Sequence, residues 1–267
     1  MIDLGKRNVL GVMVDAVDYD AAVARITDAA EEGRSFTVSA LAVHGVMTGA
    51  TDKEQQYRLN SMGMIVPDGQ PVRWALNLLH RTKLANRVYG PELTLRVLKS
   101  ASERGLPVYF YGSTPAILAG LERRIRQMLP GIIIAGSEPS KFRKLDETER
   151  HDLAERIADS GARILFVGLG CPRQEVFAYE MGGLLPMPLL AVGAAFAFHA
   201  GELPQAPPHL QSRGLEWLFR LVQEPRRLWK RYLILNPYYL LLLAGQWLGL
   251  RRFSSVGTPP RAAISYG

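Results

Sequence analysis

The sequence predicts an α/β protein, a Rossmann-like parallel sheet with helices on both faces, followed by a C-terminal helical appendage that docks on a membrane. Three observations point there. Apolar runs of strand length alternate with stretches of helical periodicity, which is how parallel strands joined by crossover helices read in sequence. A proline-rich break, Leu203-Pro204-Gln205-Ala206-Pro207-Pro208, separates that part from three helical pieces rich in leucine and aromatics. The net charge of +7 over 267 residues lies wholly beyond that break. A hydrophobic content of 48% with 21% charged residues is that of a folded globular chain, so disorder is not expected. An α/β body is therefore placed at 1–202, and a basic, aromatic helical appendage and tail at 203–267.

The strand-length runs are, in order, VLGVMVDAV (9–17), FTVSALAV (36–43), MGMIVP (62–67), PVYFYG (107–112), IIIAG (132–136), RILFVGLG (163–170) and PLLAVGAAF (188–196). Helical periodicity fills 20–32, 71–80, 90–104, 115–129, 147–160 and 172–181. Asp20 before Ala21 and Thr114 before Pro115 supply N-cap chemistry, the second with proline at the first helical position.

Beyond residue 202, nine arginines and lysines (Arg213, Arg220, Arg226, Arg227, Lys230, Arg231, Arg251, Arg252, Arg261) face two acids, Glu216 and Glu224. Interspersed are Trp217, Phe219, Trp229, Tyr232, Tyr238, Tyr239 and Trp247. Such a segment suits either nucleic-acid phosphates or an anionic membrane surface. Its aromatics are embedded in leucine runs rather than interleaved singly with polar residues, which favours the membrane over nucleic acid. The apolar run 232–250 approaches the roughly 20 residues needed to span a bilayer, yet Asn236, Pro237 and Gln246 interrupt it, so an interfacial placement is expected. A single cysteine, Cys171, excludes a disulfide framework and a multi-cysteine metal site. The N-terminus lacks a signal-peptide pattern. The expected location is the cytoplasm, peripherally attached to the inner face of the plasma membrane; a homo-oligomer stays open.

Ligands of doubly wound sheets sit at the carboxyl ends of strands, and three loops there have suitable composition. In Val66-Pro67-Asp68-Gly69-Gln70 a tight turn can hold one carboxylate over the sheet edge as a general base, or Asp68 can simply make an Asx-turn or cap the helix that follows. In Val167-Gly168-Leu169-Gly170-Cys171-Pro172-Arg173-Gln174-Glu175 the glycines allow close approach of a ligand, the helix start offers a phosphate seat, and Gln174 and Glu175 can bond a base or sugar. The pattern is not the dinucleotide fingerprint. Cys171, with no partner evident nearby in sequence, reads as structural. Gly112, Ser113 and Thr114 end another strand and offer either capping or a polar contact to a nucleotide. Gly193 and the small residues after it leave room for a flat base. His44 reads as a core histidine before a ligand. No spacing of His, Cys, Asp or Glu suggests a metal site, and Asp18 and Asp20 read as a helix cap. No metal and no cofactor are expected.

Six segments together resemble the WecG/TagA/CpsF family, glycosyltransferase family 26: VPDGQPVRWA (66–75), RVYGPEL (87–93), VYFYGST (108–114), FVGLGCPRQE (166–175), AVGAAFAFHAG (191–201) and GLEWLFRLVQEPRRLWKRYL (214–233). The resemblance covers most of the chain up to about residue 250, and its last segment is long and specific. It implies transfer of N-acetylmannosamine, its uronic acid, glucose or a related sugar from a UDP-sugar to an undecaprenyl-diphosphate-linked glycan acceptor, with inversion and without a divalent metal. By position it implies Asp68 as catalytic base, Arg87 as a second catalytic residue and Gln174 as a substrate contact. It also implies that arginines of the appendage, Arg220, Arg227 and Arg231, with Arg226 and Lys230 as near alternatives, hold diphosphate charge. Bidentate guanidinium suits a diphosphate whose leaving-group charge no metal neutralises.

Two departures stand out. The family's T-x-N motif falls on Ala40 and Ala42, and the acid of its F-D-F motif on Ala197. Altered donor recognition, a substitute such as His44, or reduced activity would follow. Two readings therefore stand beside each other, an inverting transferase and a membrane-associated nucleotide-sugar binding protein that has lost catalysis; the retained Asp68 and complete basic appendage favour the enzyme.

Overall fold

A computed structural model describes residues 1–267, except for the side chains of Pro208, Ser212, Arg227 and Arg231. Six parallel strands form the central sheet, in the order β4-β3-β8-β7-β5-β6: β3 (Phe36–Leu41), β4 (Met64–Pro67), β5 (Val108–Gly112), β6 (Ile134–Glu138), β7 (Ile164–Gly168) and β8 (Pro188–Ala191). The first apolar run does not join it. Leu10 and Gly11 both take positive φ, 54° and 91°, and fold that run into an antiparallel hairpin of β1 (Asp3–Val9) and β2 (Val12–Val17). Positive φ at both central residues marks a type I′ turn, one of the two that two-residue hairpins favour. Leucine is an unusual occupant, and burial on both sides of the turn conceals the reversal in the sequence. Asp15 of β2 then accepts from the Ile65 N–H of β4 at 2.8 Å, so the outer edge of the sheet finds a side-chain acceptor.

Helices cover both faces. On one lie α2 (Val43–Thr51), α3 (Lys53–Asn60), α4 (Gln70–His80), α7 (Glu147–Asp159) and α8 (Arg173–Met181); on the other lie α1 (Tyr19–Glu31), α5 (Gly90–Glu103), α6 (Pro115–Met128) and α9 (Ala195–Ala200). Capping follows local chemistry. Thr114 accepts from Ile117 N at 3.3 Å, whereas α1 is capped by Asp18, which accepts from Ala21 N at 2.9 Å, rather than by Asp20. Three helices of the body, α2, α3 and α9, escape the periodicity reading. In α2 the residues AVHGVM run on from β3 without a turn signal, and Phe196, expected to end the last strand, lies in α9 because β8 stops at Ala191.

The neighbours β3 and β8 send their chains to opposite faces, β3 into α2 and β8 into α9. Such a divergence opens a crevice at the carboxyl edge, where ligands of this architecture bind.

Beyond residue 202 the chain forms α10 (Pro208–Ser212), α11 (Glu216–Gln223), α12 (Pro225–Lys230), one π-helical segment (Arg231–Leu235) and α13 (Asn236–Trp247). Tyr239, Leu242 and Leu243 of α13 join the same apolar core as Val72 and Leu76 of α4. The Tyr239 hydroxyl donates to Pro71 O at 3.1 Å, and the Gln246 amide closes on the hairpin, accepting from Leu10 N at 2.9 Å and donating to Asn8 O at 3.1 Å. The tail then runs back along the body: Gln56 and Asn60 bond the carbonyls of Ser254 and Ser255, the Glu180 carboxylate accepts from Ile264 and Ser265 N–H, and Leu145 N donates to Ser265 O at 2.7 Å. Among the described residues no helix is long and apolar enough to cross a membrane.

Candidate active site

A cleft of about 940 Å³ opens at the carboxyl ends of β3, β4, β5, β7 and β8 and is roofed by the appendage. Its floor is made of small residues because the strands end in them. Ala40, Ala42, Gly168, Gly193 and Ala197 all line it. Glycine is required at two of these positions. A Cβ at Gly168 would lie 2.6 Å from the Phe196 ring, and one at Gly193, which has φ 53°, would lie 2.8 Å from Gln174 Oε1.

Asp68 stands at the end of β4, on the cleft wall. It caps neither turn nor following helix: Gly69 is the N-cap of α4, and Asp68 Oδ1 instead accepts from the Gly90 N–H at 2.8 Å, at the first residue of α5. The sequence permits either role, and the path of 81–89 decides between them by bringing α5 back over β4, with Val88 N donating to Pro67 O at 3.0 Å. Loss of hydration pushes the Asp68 carboxyl up to about 6, Glu216 adds to that rise, and Arg87, the Gly90 N–H and Arg220 oppose it. A carboxylate poised near neutrality can take and release a proton at physiological pH.

Opposite Asp68 is the loop after β7. Gly170, at φ 78°, donates its N–H to Gln174 Oε1 at 3.1 Å, and the Gln174 amide continues to Glu175 Oε1 at 2.9 Å. Glu175 also accepts from Ser39 Oγ at 3.0 Å, and burial raises its pKa. Glu175 is thus turned beneath the loop. It braces Gln174 and β3 and is not among the residues that line the cleft. Gly112 does not line it either; at φ 110° a Cβ there would meet the Gly168 carbonyl at 2.9 Å, so this glycine lets β5 and β7 lie close. Ser113, Gly170, Gln174, Gly193 and His44 do line the cleft, His44 from the first turn of α2.

The appendage supplies the third wall. Glu216 and Arg220, one turn apart on α11, both border the cleft, as does Lys230. The Arg220 guanidinium lies 5.6 Å from the centre of the Phe198 ring. Arg87 lies behind Asp68. It donates to Glu216 Oε2 at 2.5 Å and Gln211 Oε1 at 3.3 Å, and its Cζ is 4.1 Å from the Tyr89 ring centre. It borders two smaller pockets, of about 320 and 90 Å³, rather than the main cleft. The side chains of Arg227 and Arg231 lie outside the described residues. Among the described residues no group of three or more His, Cys, Asp or Glu comes together to hold a metal ion.

Sequence reasoning missed Glu216, Tyr89 and Phe198. Glu216 carried a signal, as an acid one turn ahead of Arg220 in an otherwise basic stretch; Tyr89 and Phe198 carried none, being aromatics in apolar runs.

Comparison with known proteins identifies the family. The Glycosyl transferase WecG/TagA/CpsF family profile matches residues 7–253. A protein of Bacillus spizizenii, named N-acetylglucosaminyldiphosphoundecaprenol N-acetyl-beta-D-mannosaminyltransferase, is 31% identical over 186 residues, covering 69% of this chain and 70% of its own.

Proposed function

Since the chain belongs to the WecG/TagA/CpsF family and is a glycosyltransferase, we propose that it moves a sugar from a UDP-sugar to an undecaprenyl-diphosphate-linked glycan acceptor, inverting the anomeric centre, in the synthesis of a bacterial surface polysaccharide. The name of the Bacillus relative makes N-acetylmannosamine the first donor to try; its uronic acid and glucose come next. Asp68 carries the reading, as a carboxyl with pKa near 6 on the wall of a large strand-end cleft facing a cationic roof. The acceptor hydroxyl attacks the anomeric carbon while Asp68 takes its proton, and the bond from that carbon to the UDP oxygen breaks. Arg220 and Lys230 border the space in which diphosphate charge develops, and Arg227 and Arg231 are assigned the same role by resemblance. Gly170 and Gly193 admit the nucleotide to the backbone, while Ser113, Gln174 and His44 offer polar contacts. Ala40, Ala42 and Ala197 leave the floor apolar, which favours a donor with fewer polar contacts there.

The acceptor is lipid-linked, so the enzyme works at the cytoplasmic face of the membrane, bound peripherally through the appendage. The exposed Leu233, Ile234, Leu240, Leu241 and Trp247, flanked by exposed Arg226, Lys230, Arg251 and Arg252, suit an anionic bilayer surface. The deciding experiment offers a panel of UDP-sugars and a short-chain lipid diphosphate acceptor to wild type and Asp68→Asn, with and without excess EDTA. Turnover by wild type that survives EDTA and is lost in D68N supports the proposal. UDP-sugar binding without transfer would favour a protein that has lost catalysis, and activity abolished by EDTA would mean that a metal carries the diphosphate charge.

A further inference from the structure

Two carboxylates compete for one guanidinium at the back of the cleft. Arg87 is close enough to both Asp68 and Glu216 that each acid raises its proton affinity, yet its hydrogen bond goes to Glu216. That ion pair is shielded, its side chains being 11% and 12% exposed. Gln211 Oε1 is a second acceptor for the same Nη2 at 3.3 Å, and the Gln211 amide is fixed in turn by donating to Ala206 O at 2.8 Å. The Tyr89 ring closes the other side at 4.1 Å. Asp68, for its part, bonds the Gly90 N–H. Glu216 and Gln211 both belong to the appendage, so the appendage sets where Arg87 points.

We propose that Glu216 is a positioning residue contributed by the appendage, which anchors the Arg87 guanidinium against Tyr89 and α11 so that it cannot close onto Asp68 and neutralise the base. With Glu216 gone, Asp68 becomes the acid next to a shielded guanidinium, and a carboxylate paired in this way is a weaker base. The groups that face Asp68 are consistent with this balance: Arg87 and Arg220 hold its pKa down and Glu216 raises it. Tyr19 of α1 and Tyr89 feel its charge, and His44 of α2 borders the same cleft. The catalytic consequence rests on Asp68 being the base; the placement of Arg87 does not.

The test is a pH titration of the Asp68 carboxyl carbon by NMR, in full-length protein labelled at aspartate and assigned with D68N, together with pH–rate profiles. Glu216→Gln is expected to lower the proton affinity of Asp68 roughly tenfold. Turnover should fall about tenfold with donor KM changed less than threefold, as expected when a base is weakened and binding is not. Glu216→Asp should keep most of the wild-type titration, and Arg87→Gln combined with E216Q should restore the midpoint to the wild-type value or above. An Asp68 midpoint in E216Q equal to wild type overturns the inference whatever the activity. D68N turning over at the wild-type rate would overturn the base assignment instead, and leave the titration comparison standing.

Discussion

The Gly90 N–H donates to Asp68 Oδ1 at 2.8 Å and ties the end of β4 to the first residue of α5. The tether fixes the carboxyl in space while burial raises its pKa to about 6, and the two effects together predict a pH profile. Asp68 accepts a proton only when ionised, so kcat/KM should rise with pH through about 6 and level off above it. Asp68→Asn should flatten that limb and lower turnover by roughly a hundredfold or more, the usual worth of a general base. A D68N enzyme whose residual rate still rises through the same pH would move the titration to another group.

The same carboxyl should cost stability. Its folded pKa of about 6 lies above the ordinary aspartate value, so between roughly pH 4 and 6 the folded state holds the proton more tightly than the unfolded chain. Stability contributed by the protonated form is therefore complete below pH 4 and is lost as pH rises to about 6, with no further change above. D68N, which cannot ionise, should be the more stable protein at pH 8 by up to about 3 kcal/mol and nearly equal to wild type at pH 4. Urea unfolding of both at the two pH values checks this; equal stabilities at pH 8 would show that the carboxylate is well solvated.

A methyl group at Gly193 would fall on the end of the Gln174 side chain. Its position would be 2.8 Å from Gln174 Oε1, and the backbone there has φ 53°, disfavoured for alanine. Gly193→Ala should therefore push Gln174 off the Gly170 N–H and loosen the loop after β7 that lines the cleft. The expected outcome is a donor KM raised about tenfold or more with a smaller change in kcat, read by steady-state kinetics or by titration with UDP alone. Unchanged UDP affinity would place the nucleotide elsewhere in the cleft.

Most of the body could be read from sequence because burial on both faces makes its strands continuous apolar runs and burial on one face gives its helices their period: β3, β4, β5 and β7 each lie within the predicted apolar runs. The hairpin could not, since its reversal depends on Leu10 adopting φ 54°, which apolar flanks do not advertise. Asp68 stands out in sequence by its proline-glycine turn and Gly193 by the small residues that follow it, and both line the cleft. In sequence a first-turn acid such as Glu175 looks the same whether it faces a ligand or, as here, Ser39 below. The Arg87 to Glu216 pair joins residues 129 positions apart, and no local pattern encodes such a contact.

Helix α13 has two apolar faces with different fates, and this bears on the proposed docking at a membrane. Tyr239, Leu242 and Leu243 are buried against the body, whereas Leu240, Leu241 and Trp247 are 57%, 68% and 56% exposed. Burying a leucine is worth about 1.5–3 kcal/mol, so the inward face holds the helix in place, and under the proposed membrane docking the outward face gains that free energy from a bilayer. Truncation after residue 202 should consequently destabilise the body as well as detach it, because three core side chains leave with the helix. Replacing the outward residues, Leu240→Glu, Leu241→Glu and Trp247→Glu together, should leave the melting temperature within a few degrees of wild type. It should abolish sedimentation with anionic liposomes and reduce transfer to a long-chain lipid acceptor, while turnover of a short-chain, water-soluble acceptor is kept. In 1 M salt, where the Debye length is about 3 Å, wild type should be released only in part, since apolar contact persists after charge is screened. Sedimentation of the triple variant at the wild-type level would assign membrane contact to the arginines and lysines alone.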